Sequence, residues 1–131
     1  MECLVLSPAP PGRLEDYFYM PEQDGEKRGA QARQLFNGLM AAAEIDLANG
    51  KNDSALLAEF QHKGWFLAAC CECPLEESGI APHAVAEKFA ETLVKRVRFS
   101  YKPKRIAFAS HSLEPLRKSL EDAGFAEIIA I

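Results

Sequence analysis

Short apolar runs, LVL at 4–6, WFLAAC at 65–70, IAFA at 106–109 and the closing FAEIIAI at 125–131, alternate with longer stretches whose apolar residues recur three and four apart. That alternation constrains the chain more than any other feature. A short apolar run fits a strand buried on both faces, and a 3.6-residue period fits a helix packed on a sheet. Strand following helix following strand builds a parallel sheet, because parallel neighbours need a crossover long enough to hold a helix. The expected fold is α/β, a three-layer α/β/α sandwich with a parallel sheet of about four strands. At 131 residues it reads as one domain over 1–131, large enough for a core without disulfide staples.

The expected strands are about Glu2 to Leu6, Trp65 to Cys70, Arg105 to Ala109 and Phe125 to Ile131. A loop broken by Pro8, Pro10, Pro11, Gly12 and Pro21 follows the first. Then come a helix from about Lys27 to Glu44 and a short one over Ser54 to Phe60. Leu35, Leu39 and Ala43 share one face of the long helix with Phe36 and Met40. A second long helix starts near Pro82, with Val85, Phe89, Leu93 and Val97 four apart. A third, roughly Ser112 to Ala123, turns Leu113, Leu116 and Leu120 inward and stops at Gly124.

Composition sets the boundaries of function. No apolar stretch is long enough to span a bilayer, and MECLVLSPAPP has neither the basic start nor the long apolar run of a secretory signal. Cys70, Cys71 and Cys73 are bunched and Cys3 lies in a strand, unlike a disulfide scaffold, so the expected compartment is the cytoplasm. A net charge of −4 weighs against wholesale nucleic-acid binding and leaves room for a local basic groove. The run Lys95 to Arg105 holds six basic residues in eleven, with Phe99 and Tyr101 among them. It joins the end of a helix to the start of the third strand, where cations complement the helix dipole. Solvated capping is the expectation there.

Ligands of parallel sheets sit outside the carboxyl ends of the strands, where the strand order reverses. The segments to weigh are Ser7 to Tyr19, Cys70 to Pro74, and Ser110 with His111. In the first, Tyr17, Phe18 and Tyr19 offer flat rings for stacking on a base, and Glu15 or Asp16 offers a carboxylate to orient water. Phe18 could equally anchor the long loop. His111, beside Ser110 at a helix start, offers a donor for a developing anion; the plain alternative is a solvated histidine next to a capping serine. Cys-Cys-x-Cys is not a zinc spacing, and in a strand only Cys71 and Cys73 face the same way, so no metal and no cofactor are expected. Cys71 then serves as a small wall of a pocket, or as a thiol nucleophile if His111 reaches it.

Three segments, LVLSPAPPGRLEDYFY with QARQLFNGLMAAAEI, GWFLAACCECPL and YKPKRIAFASHSLEPL, resemble in order those of the uracil-DNA glycosylase superfamily. In its iron–sulfur members a strand opens into a Gly-Glu-Ala-Pro-Gly loop, a second ends in an Asn-containing run before a Cys-Pro loop, and a third begins Lys-Pro-Lys. The resemblance covers most of the chain as a pattern, and APPG, CP and KPKRI carry it in wording. It implies a nucleobase pocket at the carboxyl edge of the sheet and, in an active member, N-glycosidic cleavage of a flipped-out base. On the reading of the strand-end loops, catalysis would then fall to Glu15, Asp16 and His111, and substrate binding to Tyr17, Phe18, Tyr19, Cys71 and Ser110. Pro8 or Ala9 stands where the family orients water, and Ala69 or Cys70 where it reads the base with Asn. The resemblance therefore implies a shortened, degenerate member that binds a nucleobase or nucleotide, with hydrolysis in doubt.

The expected partners are single-stranded or damaged DNA or a nucleotide, with no membrane. Two other classes stand beside this reading. One is a non-enzymatic interaction module or assembly subunit, pairing as a homodimer or with another protein through the last strand. The other is a small-molecule hydrolase using a Cys–His pair.

Overall fold

A computed structural model describes residues 1–8, 17–19, 29–47, 50, 52–70, 84–110 and 113–129. In chain order the elements are β1 (Cys3–Ser7), α1 (Ala30–Ala42), α2 (Asp53–His62), β2 (Trp65–Ala69), α3 (Val85–Arg96), β3 (Ile106–Phe108) and α4 (Glu114–Leu120). The protein is mixed α/β with a parallel three-stranded sheet in the order β2-β1-β3. Leu4, Val5 and Leu6 of β1 register against Ile106, Ala107 and Phe108 of β3. The chain divides into two compact units, Met1–Pro10 with Phe66–Ile131, and Pro11–Trp65.

In the first unit, Leu4 and Leu6 point to one face of β1 because side chains alternate along a strand. They join Ala68, Cys70 and Ile106 from the neighbouring strands. Leu93 from α3, Val97 just after it, and Leu116 and Leu120 from α4 close this core, each 1% exposed or less. Full burial of such a side chain stabilises by about 1.5–3 kcal/mol. Cys3, Val5 and Leu67, on the opposite face, are also buried. Burial on both faces is why these strands read as continuous apolar runs rather than as alternation.

The second unit is built on α1 and α2. Phe36, Met40 and Ala43 are the fully buried stripe of α1, with Leu35 and Leu39 half-buried beside it. The Asn52 side chain caps α2 by accepting from the Ala55 N–H at 2.9 Å. Gly64, at φ 84°, follows the far end of α2 in the left-handed conformation that glycine adopts without strain. Lys63 donates to the Ala43 and Glu44 carbonyls at 2.9 and 3.2 Å, satisfying acceptors that the end of α1 leaves open.

The expected closing strand is corrected. After α4 the chain continues as a wide, π-type turn over Glu121–Phe125 and a 3₁₀ turn over Ala126–Ile128. Among the described residues of this segment only Ile129 reaches the sheet, in a single parallel bridge to Ile106. Gly124, at φ 100° and ψ 11°, breaks the helical conformation at the position read as a helix stop, but a further turn and not a strand follows it. The expected third helix is likewise shorter, Glu114–Leu120. Pro82 and the first residues of the expected long helices, Lys27 and Arg28, lie outside the described residues.

Candidate functional site

The carboxyl ends of the strands meet at Ser7. The Cys70 N–H donates to the Ser7 carbonyl at 2.8 Å, and the Ala109 N–H donates to the Leu6 carbonyl at 2.8 Å. Ser7 is thus flanked by the ends of β2 and β3, and its hydroxyl lies 3.5 Å from the Ala68 carbonyl. Ser110 follows β3 directly and is half-buried, as is Ser7. Its carbonyl accepts from the Leu113 N–H at 3.3 Å, turning the chain into α4. Cys70 is buried at 5% exposure as part of the core. The edge therefore brings two half-buried serines together, side chains of a kind that can hydrogen-bond a neutral planar ligand.

The start of α4 is less suited to an anion. The helix spans seven residues, and no side chain caps it at Leu113. Glu114 already occupies the first turn and pairs with Arg117 at 2.7 Å. A carboxylate there complements the positive end of the dipole and repels a phosphate. Arg117 also lies over the Phe108 ring, 5.3 Å from its centre.

Tyr17, Phe18 and Tyr19 belong to the second unit. Phe18 is only 6% exposed. Its ring centre is 5.0 Å from Tyr19, 5.5 Å from Phe36 and 5.2 Å from Phe60, and Phe60 lies 5.9 Å from Trp65. The first and third contacts are edge-to-face, a favoured arrangement of ring quadrupoles. This geometry is that of an anchor fixing the segment on α1 and α2. Tyr17 is the exposed ring of the three, and Tyr19 is half-buried. Glu15, Asp16, Cys71 and His111 lie outside the described residues, as does Cys73.

Two side-chain assemblies went unread in the sequence. Asp53, buried at 5% exposure, takes a two-pronged pair from Arg33 at 2.8 and 3.1 Å, joining α2 to α1. Its signal was local, an acid just after a capping asparagine; its partner twenty residues away had none. Arg96, at the end of α3, donates to the Ala69 carbonyl at 3.2 Å and to the Tyr101 hydroxyl. Tyr101 in turn lies 5.9 Å from Phe66 of β2.

Cys3 and Cys70 are both buried. Burial pushes the Cys3 thiol above its usual pKa; Arg105 opposes that shift and Glu2 adds to it. Among the described residues no group of three or more His, Cys, Asp and Glu could hold a metal ion. No helix of the described residues is long and apolar enough to cross a membrane.

Comparison of the chain with protein-family models, curated proteins and solved structures gives no match.

Proposed function

We propose that the protein binds a nucleobase or nucleotide at the carboxyl edge of its sheet, between the ends of β1 and β3. The strand order β2-β1-β3 carries this reading. Connections leaving β1 and β3 diverge to opposite sides at such a reversal, and ligands of parallel sheets lodge in the crevice that results. Ser7 and Ser110 supply hydroxyls that both donate and accept, the pattern a base edge needs. The reading takes the sheet as four-stranded in type, with the segment at Ile129 as its outermost position. It takes the compartment as the cytoplasm, which suits the bunched spacing of Cys70, Cys71 and Cys73 in the sequence.

In its active form the chemistry is that of a uracil-DNA glycosylase: Glu15 or Asp16 orients water, and His111 stabilises the departing base anion. The resemblance in APPG, CP and KPKRI supports that reaction class, and Pro8 and Ala69 weigh against full activity. Titration calorimetry with uracil, deoxyuridine monophosphate and a uracil-containing single-stranded oligonucleotide tests the binding claim. Ser110→Trp fills the crevice and should abolish the heat while circular dichroism stays that of a folded protein. Heats absent for all three ligands sink the reading. Base release that disappears in a Glu15→Ala, Asp16→Ala double variant establishes the hydrolytic form.

One observation favours a second reading, an interaction module. Among the described residues β3 is bridged on its outer side at Ile106 alone. A second chain pairing there gives a stable dimer in sedimentation and no ligand heat.

A further inference from the structure

We infer that the turn following α3 is a binding site for single-stranded nucleic acid, in which Phe99 stacks on a base and the surrounding cations hold the phosphates. The site lies at the amino edge of the sheet, apart from the proposed nucleobase crevice: the Lys104 N–H donates to the Met1 carbonyl at 3.0 Å, just before β1 begins.

Charge comes first. Residues 95–105 hold six of the chain's fifteen basic residues and none of its nineteen acids, so the segment carries +6 and the rest of the chain −10. Lys95, Arg98, Lys102 and Lys104 are exposed. Among them stands Phe99, 69% exposed and the most exposed large apolar side chain among the described residues. No ring or cation of the described residues covers it.

The exposure is built in. Phe99 sits on a π-type turn, Val97–Tyr101, of the kind often found at functional sites. Val97 on one side is fully buried in the core. Tyr101 on the other is held by Arg96 and Phe66. Arg98 is fixed by the Ala123 carbonyl at 2.6 Å and by the Phe125 ring, 5.5 Å away. Lys102 then reverses the chain at φ 45°, ψ 53°, a left-handed conformation rare for a lysine. A rigid turn displaying one ring between cations binds without first being ordered.

The same features favour nucleic acid over an anionic membrane. Insertion into lipid needs an apolar face, and Phe99 is the one exposed large apolar residue in the segment, with exposed Ser100 beside it. Stacking needs only one ring, and every base offers a flat face.

Fluorescence anisotropy of a labelled twelve-nucleotide oligothymidylate, across a salt series, tests the site. Binding should weaken with salt by a slope of about −0.7 per phosphate engaged. Phe99→Ala should weaken it by roughly 5- to 100-fold, the equivalent of losing one stacked base. A Lys95→Glu, Lys102→Glu double variant should weaken it and flatten the salt slope. Leu47→Ala, an exposed apolar residue of the other unit, and Lys88→Glu, on the first half of α3, should leave it unchanged. Phe99 is exposed, so its variant stays folded, and an unchanged melting curve verifies that. The inference is overturned by absent binding, by losses equal in the Leu47 and Phe99 variants, or by Phe99-dependent binding to phosphatidylserine vesicles without affinity for the oligonucleotide. The crevice and this turn fail separately, because Ser110→Trp reads one and Phe99→Ala the other.

Discussion

Arg96 closes the outer edge of β2 by donating to the Ala69 carbonyl at 3.2 Å. The Cys70 N–H points toward β1, so the Ala69 carbonyl in the same peptide plane points away from the sheet. Among the described strands β2 is the last on its side, so no described strand takes that carbonyl. The guanidinium also stacks 5.1 Å from the centre of the Tyr101 ring. One side chain thus ties α3, the edge strand and the turn after α3 together.

Arg96→Ala should lower stability by about 1–2 kcal/mol, the net worth of a charged hydrogen bond to a carbonyl. Arg96→Lys should recover only part, since an ammonium cannot both stack flat and donate in a fork. Urea unfolding measures both. The alanine variant should also self-associate more at high concentration, because an uncovered edge strand pairs with its own kind. An alanine variant as stable as the parent refutes the clamp.

Phe18 and Tyr17 should separate cleanly. Phe18→Ala empties a buried aromatic cluster and should cost roughly 3–5 kcal/mol in chemical unfolding. Tyr17→Ala removes an exposed ring and should change stability by less than about 0.5 kcal/mol. A drop in nucleotide affinity in the stable Tyr17 variant assigns stacking to that ring. Equal destabilisation by the two changes contradicts the burial of Phe18.

The Arg33–Asp53 pair predicts strong coupling. Arg33 retains 30% side-chain exposure against 7% for Asp53, so water screens one partner only. Asp53→Ala removes the carboxylate that the half-buried Arg33 guanidinium grips with two prongs and should cost about 2–3 kcal/mol. The Arg33→Ala, Asp53→Ala double variant should cost less than the sum of the single changes. Additive losses would show the pair is incidental.

Cys3 sets a pH dependence at the alkaline end. Burial raises its folded pKa above the ordinary thiol value, so the unfolded chain gives up that proton first. The stabilising term is complete below the unfolded thiol pKa, near 8.5, and is lost as pH climbs from there through the folded value. Unfolding free energy should fall from pH 8 to pH 10, and Cys3→Val should flatten that fall. The same burial predicts slow alkylation of Cys3 at neutral pH, read by mass spectrometry of the native protein.

The three strands and the helices between them were legible because burial on both faces leaves unbroken apolar runs, and helices facing a sheet leave a stripe. FAEIIAI misled for a physical reason. Its apolar residues suit a strand, but after the break at Gly124 the chain coils again, and the 3₁₀ turn uses up Ala126–Ile128 before Ile129 meets Ile106. The pairing of Arg33 with Asp53 depends on how two helices cross, which no local pattern records. The basic run was visible in composition, while the exposure of Phe99 depended on which way the turn after α3 faced. Ser7 and Ser110 fell where the sheet logic expected a site.

Lys102 carries a consequence for thermal behaviour. A side chain held at φ 45° is strained by about 1–2 kcal/mol, which glycine would relieve at some cost in unfolded-chain entropy. Lys102→Gly should therefore keep the turn and raise the melting temperature by a few degrees at most, while removing a cation from the segment of charge +6. Heat tolerance and affinity for a polyanion then pull against each other at one residue. A screen that selected only for thermostability would be expected to find this position, and to lose binding in doing so.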